Sequence, residues 1–215
     1  VHGGSTVRGH LVETRITVID PLTGTVSPKH LNQHVDFSQF SASAHAGSKP
    51  HSLSNLRHLV VSSDGQKIYA AAMGSAKVAV FDTADIEDAN FATNFDPTVE
   101  SSQYLDVGEG PSGVALDETH GRLYVTTRFD NSVRAITLSN GSSETHAMHN
   151  PESAAIIEGR PFLYDAQFSS SNGTAACADC HIDGDLDHLA WDLGDPAGME
   201  IACRLFLSTE SIGPL

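Results

Sequence analysis

Short runs in which polar and apolar residues alternate fill the first two thirds of the chain. Residues 15–20 (RITVID) alternate in this way, and the sequence PLTG at residues 21–24 follows them directly. Alternation with a period of two separates the side chains onto two faces, so this pattern predicts a strand followed by a turn. Residues 28–56 are instead rich in Ser, His, Asn and Gln, which predicts a long loop or an insertion.

A series of three strand-like runs, separated by turn-forming residues, occurs twice. The runs are residues 59–65, 67–72 and 77–82 in the first copy, and 113–117, 122–127 and 132–138 in the second. Tyr69 and Tyr124 are predicted to be equivalent, as are Val80 and Ile136. We interpret residues 85–104 as an insertion, because the copies lie further apart than a bare four-stranded unit requires. Repeated units of short strands predict a propeller or a similar array.

The second copy resembles the YVTN-type β-propeller repeats, with the pattern P-x-G-V-A-L-D, G-x-L-Y-V-T and N-x-V-x-x-I. The matching residues are Pro111, Gly113, Val114, Ala115, Leu116, Asp117, Leu123, Tyr124, Val125, Asn131 and Val133. The resemblance covers residues 10–150 and implies blades that bury their faces against one another. Two to three blades are recognisable, whereas a closed propeller has about four to eight, so further chains or segments would complete it. An antiparallel sandwich is the alternative for these strands.

Residues 177–181 read Cys-Ala-Asp-Cys-His, which is the spacing of covalent haem c attachment. Two thiols separated by two residues can reach the two vinyl groups along one edge of a porphyrin and form thioethers. The adjacent imidazole then lies beneath the iron and donates a ring nitrogen. Cys177, Cys180 and His181 are therefore predicted to bind haem c, with His181 as an iron ligand.

Two other chemistries use a Cys-x-x-Cys pair. A thioredoxin-like redox pair needs a strand–helix context, which this segment lacks. A zinc site needs a second pair of ligands at a matching spacing, and Cys203 with a histidine could complete one only through long-range folding.

The residues around the motif resemble the segment before the first haem in the bacterial di-haem cytochrome c peroxidase and MauG family. The matching residues are Gly159, Asp165, Ser169, Gly173 and Thr174, while Phe162 and Leu163 exchange the usual order of large apolar residues. Residues 183–187 and 189–195 resemble proteins that join a YVTN propeller to such a haem domain, and the coverage is residues 155–198. The family implies a second haem, often with a second C-x-x-C-H, but this chain has only one such motif.

The other side of a haem iron takes Met or His, or stays open. Met199 is the candidate ligand, because it follows the motif at a distance that lets the chain turn back across the distal face. His188 is nearer to the motif and reaches the opposite face with difficulty, while Met148 and His149 precede it. Trp191 is a candidate for packing on the porphyrin, or equally an ordinary core residue.

The pattern and composition of the sequence change after residue 150, where the alternation of polar and apolar residues fades and Gly, Asp and Ala become more frequent. We predict a mainly β fold, with β-propeller blades in residues 1–150 and a small α-helical, cytochrome c-like haem-binding segment in residues 151–215. No apolar run approaches the roughly 18–20 residues of a membrane helix, so no membrane span is expected.

The formal net charge of −15 argues against nucleic acid as a partner and suits a basic redox partner protein. The leading hypothesis is a c-type cytochrome that transfers electrons and uses its propeller for docking. One alternative is a di-haem peroxidase or MauG-like oxidoreductase whose second haem lies outside this chain; another is a binding propeller with a structural haem. Because haem c is attached outside the cytoplasm, the expected location is periplasmic or extracellular.

Overall fold

The computed structural model describes residues 12–39 and 41–185. Within these residues the strands form three antiparallel sheets, which follow one another along the chain. A two-stranded hairpin comes first and two four-stranded sheets follow, with short helices between strands and after the last strand. The prediction of a mainly β fold is confirmed.

The two-stranded hairpin consists of β1 (Arg15–Ile19) and β2 (Val26–His30). In its turn the Asp20 carboxylate accepts a hydrogen bond of 2.8 Å from the backbone N–H of Leu22. The predicted strand and turn are confirmed here. The predicted loop over residues 28–56 is wrong at its start, because residues 28–30 pair with β1 as part of β2.

The two ends of the polar segment between β2 and the next strand are packed into the protein. Leu31 and Leu53 are both 0% exposed. The Asn32 side chain donates to the carbonyl of Leu53 at 2.7 Å and accepts from its N–H at 2.8 Å. A 3-10 helix spans Lys49–His51. The Asn32 side chain therefore replaces missing ladder hydrogen bonds and allows the irregular ends of the segment to be buried.

The two four-stranded sheets share one topology, in which each strand pairs with the next along the chain. The first sheet contains β3 (Leu56–Val61), β4 (Lys67–Ala72), β5 (Lys77–Asp82) and β6 (Leu105–Asp106). The second contains β7 (Pro111–Asp117), β8 (Arg122–Thr127), β9 (Ser132–Thr137) and β10 (Ser143–Ala147). The first two strands of the first sheet pack on β7, so the sheets lie face to face like neighbouring propeller blades.

The pairing of the strands shows which positions of the two sheets are equivalent. Tyr69 and Tyr124 are equivalent, as predicted, since each is the third residue of the second strand in its sheet. Tyr69 pairs with Val80, and Tyr124 pairs with Ala135. The predicted equivalence of Val80 and Ile136 is therefore wrong by one residue. Both third strands carry adjacent apolar residues, so apolar character alone left the register open by one position.

Backbone irregularities also recur at equivalent positions. We call the first strand of each four-stranded sheet, β3 or β7, its inner strand and the last, β6 or β10, its outer strand. The pairing of β3 with β4 shifts at Arg57, and that of β7 with β8 shifts at Ser112, which indicates a β-bulge in each inner strand. The turn before each third strand contains a residue with left-handed backbone, Ala76 with a φ of 56° and Asn131 with a φ of 52°. The repeat is thus a repeat of backbone geometry as well as of sequence.

The predicted insertion between the copies is confirmed as a small helical cap. Its elements are α1 (Thr83–Glu87), α2 (Phe91–Asn94), α3 (Pro97–Glu100) and a 3-10 helix at Ser101–Gln103. The rings of Phe91 and Phe95 stack at 4.5 Å, and Phe95 lies 6.0 Å from the buried ring of Phe81 in β5. The cap therefore covers the first sheet with an aromatic cluster.

The described part of the chain after residue 150 is helical. It contains α4 (Ala154–Tyr164), α5 (Ala166–Ser169) and 3-10 helices at Cys177–Asp179 and Ile182–Gly184. A cytochrome c-like domain and a boundary near residue 150 stay predictions. Among the described residues, no helix has the length and apolar character needed to cross a membrane.

Candidate functional site

Cys177, Cys180 and His181 lie together on one tight turn of the chain. The carbonyl of Cys177 accepts hydrogen bonds from the backbone N–H groups of Cys180 at 3.2 Å and His181 at 2.9 Å. Cys177 and His181 are exposed and Cys180 is half-buried. Neither cysteine is joined in a disulfide to another described residue. The structure thus brings the three predicted residues together at the protein surface.

The His181 ring is oriented by a hydrogen bond between its Nδ1 and the backbone carbonyl oxygen of Asp185, at 3.0 Å. A carbonyl oxygen can only accept, so Nδ1 carries the proton in the neutral imidazole and donates it. Nε2 is then the nitrogen with the lone pair. Donation of one ring N–H to a carbonyl is the usual way in which proteins prepare the other ring nitrogen for a metal.

Asp179, between the two cysteines, connects the motif to the residues that lead into β3. Its Oδ2 accepts hydrogen bonds from Ser54 Oγ at 2.9 Å and from the Ala176 N–H at 2.7 Å. Burial raises the pKa of Asp179, while these hydrogen bonds and the charge of Arg57 act in the opposite direction. A Cβ at Gly74 would lie 2.6 Å from Ser54 Oγ, so only glycine leaves room for this serine.

The loop before the motif is held against the polar segment that precedes β3. Lys49 Nζ donates to the carbonyl of Ser170 at 2.7 Å, and Ser52 Oγ donates to the carbonyl of Asn172 at 2.8 Å. Gln167 Nε2 donates back to the Lys49 carbonyl at 3.0 Å. With the Ser54–Asp179 contact, these bonds join the motif segment to the polar segment before β3 at several points.

Three residues that carry the family resemblance shape this loop. The Asp165 carboxylate caps α5 by accepting from the Gln167 N–H at 2.7 Å. Thr174 Oγ1 donates to the Asn172 side chain at 2.9 Å. Gly173 has a φ of +76°, and a Cβ there would lie 2.7 Å from Gln167 Nε2. These residues therefore fix the path of the chain into the motif.

Helix α4 attaches to the second sheet through a buried arginine. Arg160 is 7% exposed, and its Nη1 donates to the carbonyls of Arg128 at 2.8 Å and Phe129 at 3.0 Å. Its Nη2 forms an ion pair with Glu152. The pairing compensates the cost of burying the guanidinium, so Arg160 anchors the helix to the turn before β9.

A cavity of about 720 Å³ lies between α4 and one end of the two sheets. Its described lining consists of Arg57, Met73, Ser112, Arg128, Glu152, Ile156, Gly159, Arg160, Leu163, Tyr164 and Gly184. This volume is in the range of small-molecule and cofactor sites, and the mixture of apolar groups with a few charges is also typical of them. Gly184 connects the cavity to the turn that contains His181.

The cavity is a basic region in an acidic protein, whose formal net charge is −15. Arg160 is paired with Glu152, whereas Arg128 Nη2 lies 3.6 Å from the same carboxylate, beyond normal hydrogen-bond length. Within residues 12–39 and 41–185, the Arg57 guanidinium has neither an ion pair nor a hydrogen bond. Two positive charges of this cavity are therefore weakly compensated.

Among residues 12–39 and 41–185, no cluster of three or more His, Cys, Asp or Glu side chains is arranged to hold a metal ion. The described residues therefore offer no second set of ligands to a zinc ion at Cys177 and Cys180. Haem iron does not need such a cluster, because the porphyrin supplies four nitrogen ligands.

Two predicted site residues, Trp191 and Met199, lie outside the described residues, and their roles stay predictions. Met148, an alternative iron ligand, is 46% exposed. The sequence reasoning missed Arg57 and Arg128. Their only sequence signal is that they occupy a strand start and a turn in successive copies of the repeat, which is visible only once the copies are aligned.

No protein-family model and no curated protein matches this sequence. Among solved structures, Kuenenia stuttgartiensis hydrazine synthase is similar with 16% identity and a TM-score of 0.39, covering 63% of this chain and 30% of that chain. Pseudomonas aeruginosa periplasmic gluconolactonase, PpgL, is similar with 17% identity and a TM-score of 0.38, covering 66% and 37%. The Myceliophteria thermophila Cps50 (Swd1) β-propeller domain has 14% identity, a TM-score of 0.38, and coverage of 68% and 36%. The chain thus spans well under half the length of each of these proteins.

Proposed function

We propose that this protein is a c-type cytochrome, in which Cys177 and Cys180 hold a haem through thioethers and His181 ligates its iron through Nε2. The observation that carries the proposal is the hydrogen bond that orients the His181 ring and leaves Nε2 available to a metal. Its Nδ1 is 3.0 Å from the Asp185 carbonyl, and the same turn carries both thiols of the C-x-x-C-H spacing. A histidine with only a surface role would not require this combination.

The surroundings of the motif are compatible with a porphyrin. The neighbouring cavity of about 720 Å³ has apolar side chains from α4, including Ile156 and Leu163, and cationic side chains from the two sheets. Haem has the same two-sided character, with an apolar ring and two carboxylates. When bound, it supplies an iron that exchanges one electron between its ferrous and ferric states.

The protein residues in this proposal hold and orient the group. The Ser54–Asp179 hydrogen bond of 2.9 Å holds the residue between the thiols against the segment that leads into β3, and so keeps the cysteines in one place. Rigid positioning of this kind limits reorganisation of the site during electron exchange. The blades form the body on which the redox centre is mounted and would dock a partner protein. The formal net charge of −15 favours a basic redox partner.

The proposal also implies a location. Thioether attachment of haem takes place outside the cytoplasm, so the protein would act in the periplasm or outside the cell.

A pyridine haemochrome assay after acid–acetone extraction tests the covalent link. Colour is expected to stay with the wild-type protein. The single variants Cys177→Ala and Cys180→Ala should each keep one thioether and shift the haemochrome band towards that of a porphyrin with one free vinyl group. The double variant should lose all colour to the solvent, and Cys203→Ala, which removes a thiol outside the motif, should behave as wild type. Extractable colour in the wild type, or none at all, would refute the proposal.

The spin state of the iron separates electron transfer from the peroxidase-like alternative. Six-coordinate, low-spin iron in both oxidation states is expected for an electron-transfer site. Five-coordinate, high-spin iron with an open position would instead favour an oxidoreductase that works with a second haem outside this chain. Absorption and electron paramagnetic resonance spectra of the purified protein provide this measurement.

A further inference from the structure

Residues at equivalent positions of the two sheets line the cavity between α4 and the sheets. Arg57 and Ser112 are the bulge residues of the two inner strands. Met73 and Arg128 are the residues that directly follow β4 and β8. All four line the cavity. At the bulge position the first sheet has Arg57 and the second has the uncharged Ser112. After the second strand the second sheet has Arg128 and the first has the uncharged Met73. The two arginines therefore reach the cavity from different blades.

The two arginines have capacity for an anionic ligand. Arg57 has no hydrogen bond or ion pair within the described part of the chain, and Arg128 Nη2 is 3.6 Å from Glu152. Arg160 has little remaining capacity, since it holds Glu152 and two backbone carbonyls. A guanidinium with an open fork pairs most strongly with a carboxylate, through two parallel hydrogen bonds.

The cavity also lies beside the C-x-x-C-H turn. Gly184 of the following 3-10 helix contributes to its lining. Asp179, between the two cysteines, accepts a hydrogen bond from Ser54, which precedes Arg57 by three residues. Apolar side chains of the lining come from Met73, Ile156 and Leu163. A ligand with an apolar body and two anionic groups would match this lining, close to the turn that carries residues 177–181.

We propose that Arg57 and Arg128 bind the two propionate carboxylates of the porphyrin that is attached at Cys177 and Cys180. The inference rests on the proposed function and adds two cofactor-binding residues from the blades. It assigns the propeller a direct part in the cofactor site, since each of the two blades holds one propionate.

Binding of a free porphyrin tests the contacts separately from covalent attachment. In the Cys177→Ala/Cys180→Ala protein, hemin is the probe, and hemin dimethyl ester, which lacks both carboxylates, is its matched control. Arg57→Gln and Arg128→Gln should each weaken hemin binding by roughly tenfold, the range of one charge-assisted hydrogen-bonded pair. Neither substitution should change binding of the ester.

Arg122→Gln is the matched protein control. Arg122 opens β8 at the end of the second sheet away from the cavity, where it pairs with Asp117, the last residue of β7. The Arg122→Gln substitution removes one positive charge, as the two test substitutions do, but Arg122 does not line the cavity. Arg57→Lys, which keeps the charge, should recover part of the hemin affinity. Equal losses for the ester and hemin, or an equal effect of Arg122→Gln, would overturn the inference.

The covalent protein gives a second readout. Loss of a positive charge beside the propionates stabilises ferric haem, so Arg57→Gln and Arg128→Gln should lower the reduction potential relative to Arg122→Gln. Attached haem with no change in potential and no change in hemin affinity would refute the propionate contacts alone. Absence of attached haem in the wild type would refute the proposed function itself, so the two failures are distinguishable.

Discussion

The two four-stranded sheets have one backbone design but differ in what covers them. The first sheet has the helical cap after β5, and its outer strand β6 is reduced to Leu105–Asp106. In the second sheet no helix lies between β9 and β10, and all five residues of its outer strand β10 are exposed. The first blade therefore buries large aromatic side chains, while the second ends in a polar edge strand.

The comparison extends to the end of the sheets at the cavity. In each sheet the residue before the inner strand accepts the same backbone hydrogen bond, Asn55 from Met73 at 3.0 Å and Gly110 from Arg128 at 2.9 Å. The side chains at these positions nevertheless differ. Repetition has kept the backbone features that define a blade, and the side chains have diverged where the C-x-x-C-H segment and α4 attach.

The largest difference should appear on truncation of equivalent core residues. Phe81 and Ile136 are both nearly inaccessible to solvent, but Phe81 also packs against Phe95 and Tyr104 of the cap, at ring distances of 6.0 and 5.7 Å. Phe81→Ala should lower the free energy of unfolding by about 4 kcal/mol and Ile136→Ala by about 3 kcal/mol, because the larger side chain leaves the larger cavity. Urea denaturation measures both.

The control for this pair is Val99→Ala in the cap, where the side chain is 61% exposed. It should change the unfolding free energy by less than about 0.5 kcal/mol. A larger loss for Ile136→Ala than for Phe81→Ala would contradict the idea that the cap makes the first blade the better-packed one.

The second effect concerns the residue before each inner strand. Gly110 has a φ of +63°, and a Cβ there would lie 2.5 Å from the ring of Phe129, which is 3% exposed. Gly110→Ala should cost about 2 kcal/mol, since it combines backbone strain with displacement of a buried ring. The equivalent Asn55, with a φ of 56°, should tolerate replacement by glycine almost without loss. Thermal unfolding of the two variants measures both effects. An unchanged melting temperature for Gly110→Ala would show that the Phe129 ring can move to make room for the added methyl group.

A smaller effect is expected at the left-handed residues before the third strands. Ala76 has a φ of 56°, which is unfavourable for alanine, whereas Asn131 has a φ of 52° and its side chain donates to the His149 carbonyl at 2.7 Å. Ala76→Gly should stabilise the protein by about 0.5 kcal/mol, because relief of strain exceeds the added entropy of the unfolded chain. Asn131→Gly should destabilise it. Chemical denaturation of both variants tests the prediction, and destabilisation by Ala76→Gly would contradict it.

The smallest effect is a pH dependence that belongs to the first blade. His34 lies in the segment before β3, with its Nε2 bonded to the Ser48 carbonyl at 2.9 Å and a buried Nδ1 that has no partner among the described residues. Burial lowers the pKa of His34 from its ordinary value of 6.5. Below that value the unfolded chain binds a proton that the folded chain does not, so stability should fall as the pH drops.

The unfolding midpoint in urea at about pH 7.5 and about pH 5.5 measures this dependence. His34→Gln should reduce the loss on acidification, and His146→Gln on the exposed strand β10 should leave it as in the wild type. An unchanged pH dependence in His34→Gln would show that other groups cause it. The segment that leads into the second blade, residues 107–110, contains no histidine, so no comparable contribution is expected there.

Much of the strand pattern could be predicted, because alternation and Asp-Gly or His-Gly turns are local signals. Tyr69 and Tyr124 were matched correctly on this basis. The register of the third strands was wrong by one residue, since Val80 and Phe81 are both apolar and only the pairing distinguishes them. The outer strand β10 was missed because SETHA has a single small apolar residue, Ala147, and no buried face.

The C-x-x-C-H spacing at residues 177–181 could be read from the sequence alone, and its role in haem attachment stays a prediction. The sequence also determined the tight turns, where a positive φ calls for glycine or asparagine, and the acidic charge. Only the tertiary structure placed Arg57 and Arg128 beside one cavity and joined Ser54 to Asp179. Those contacts connect residues far apart in the chain, and they depend on how two blades and a helix pack, which no local pattern encodes.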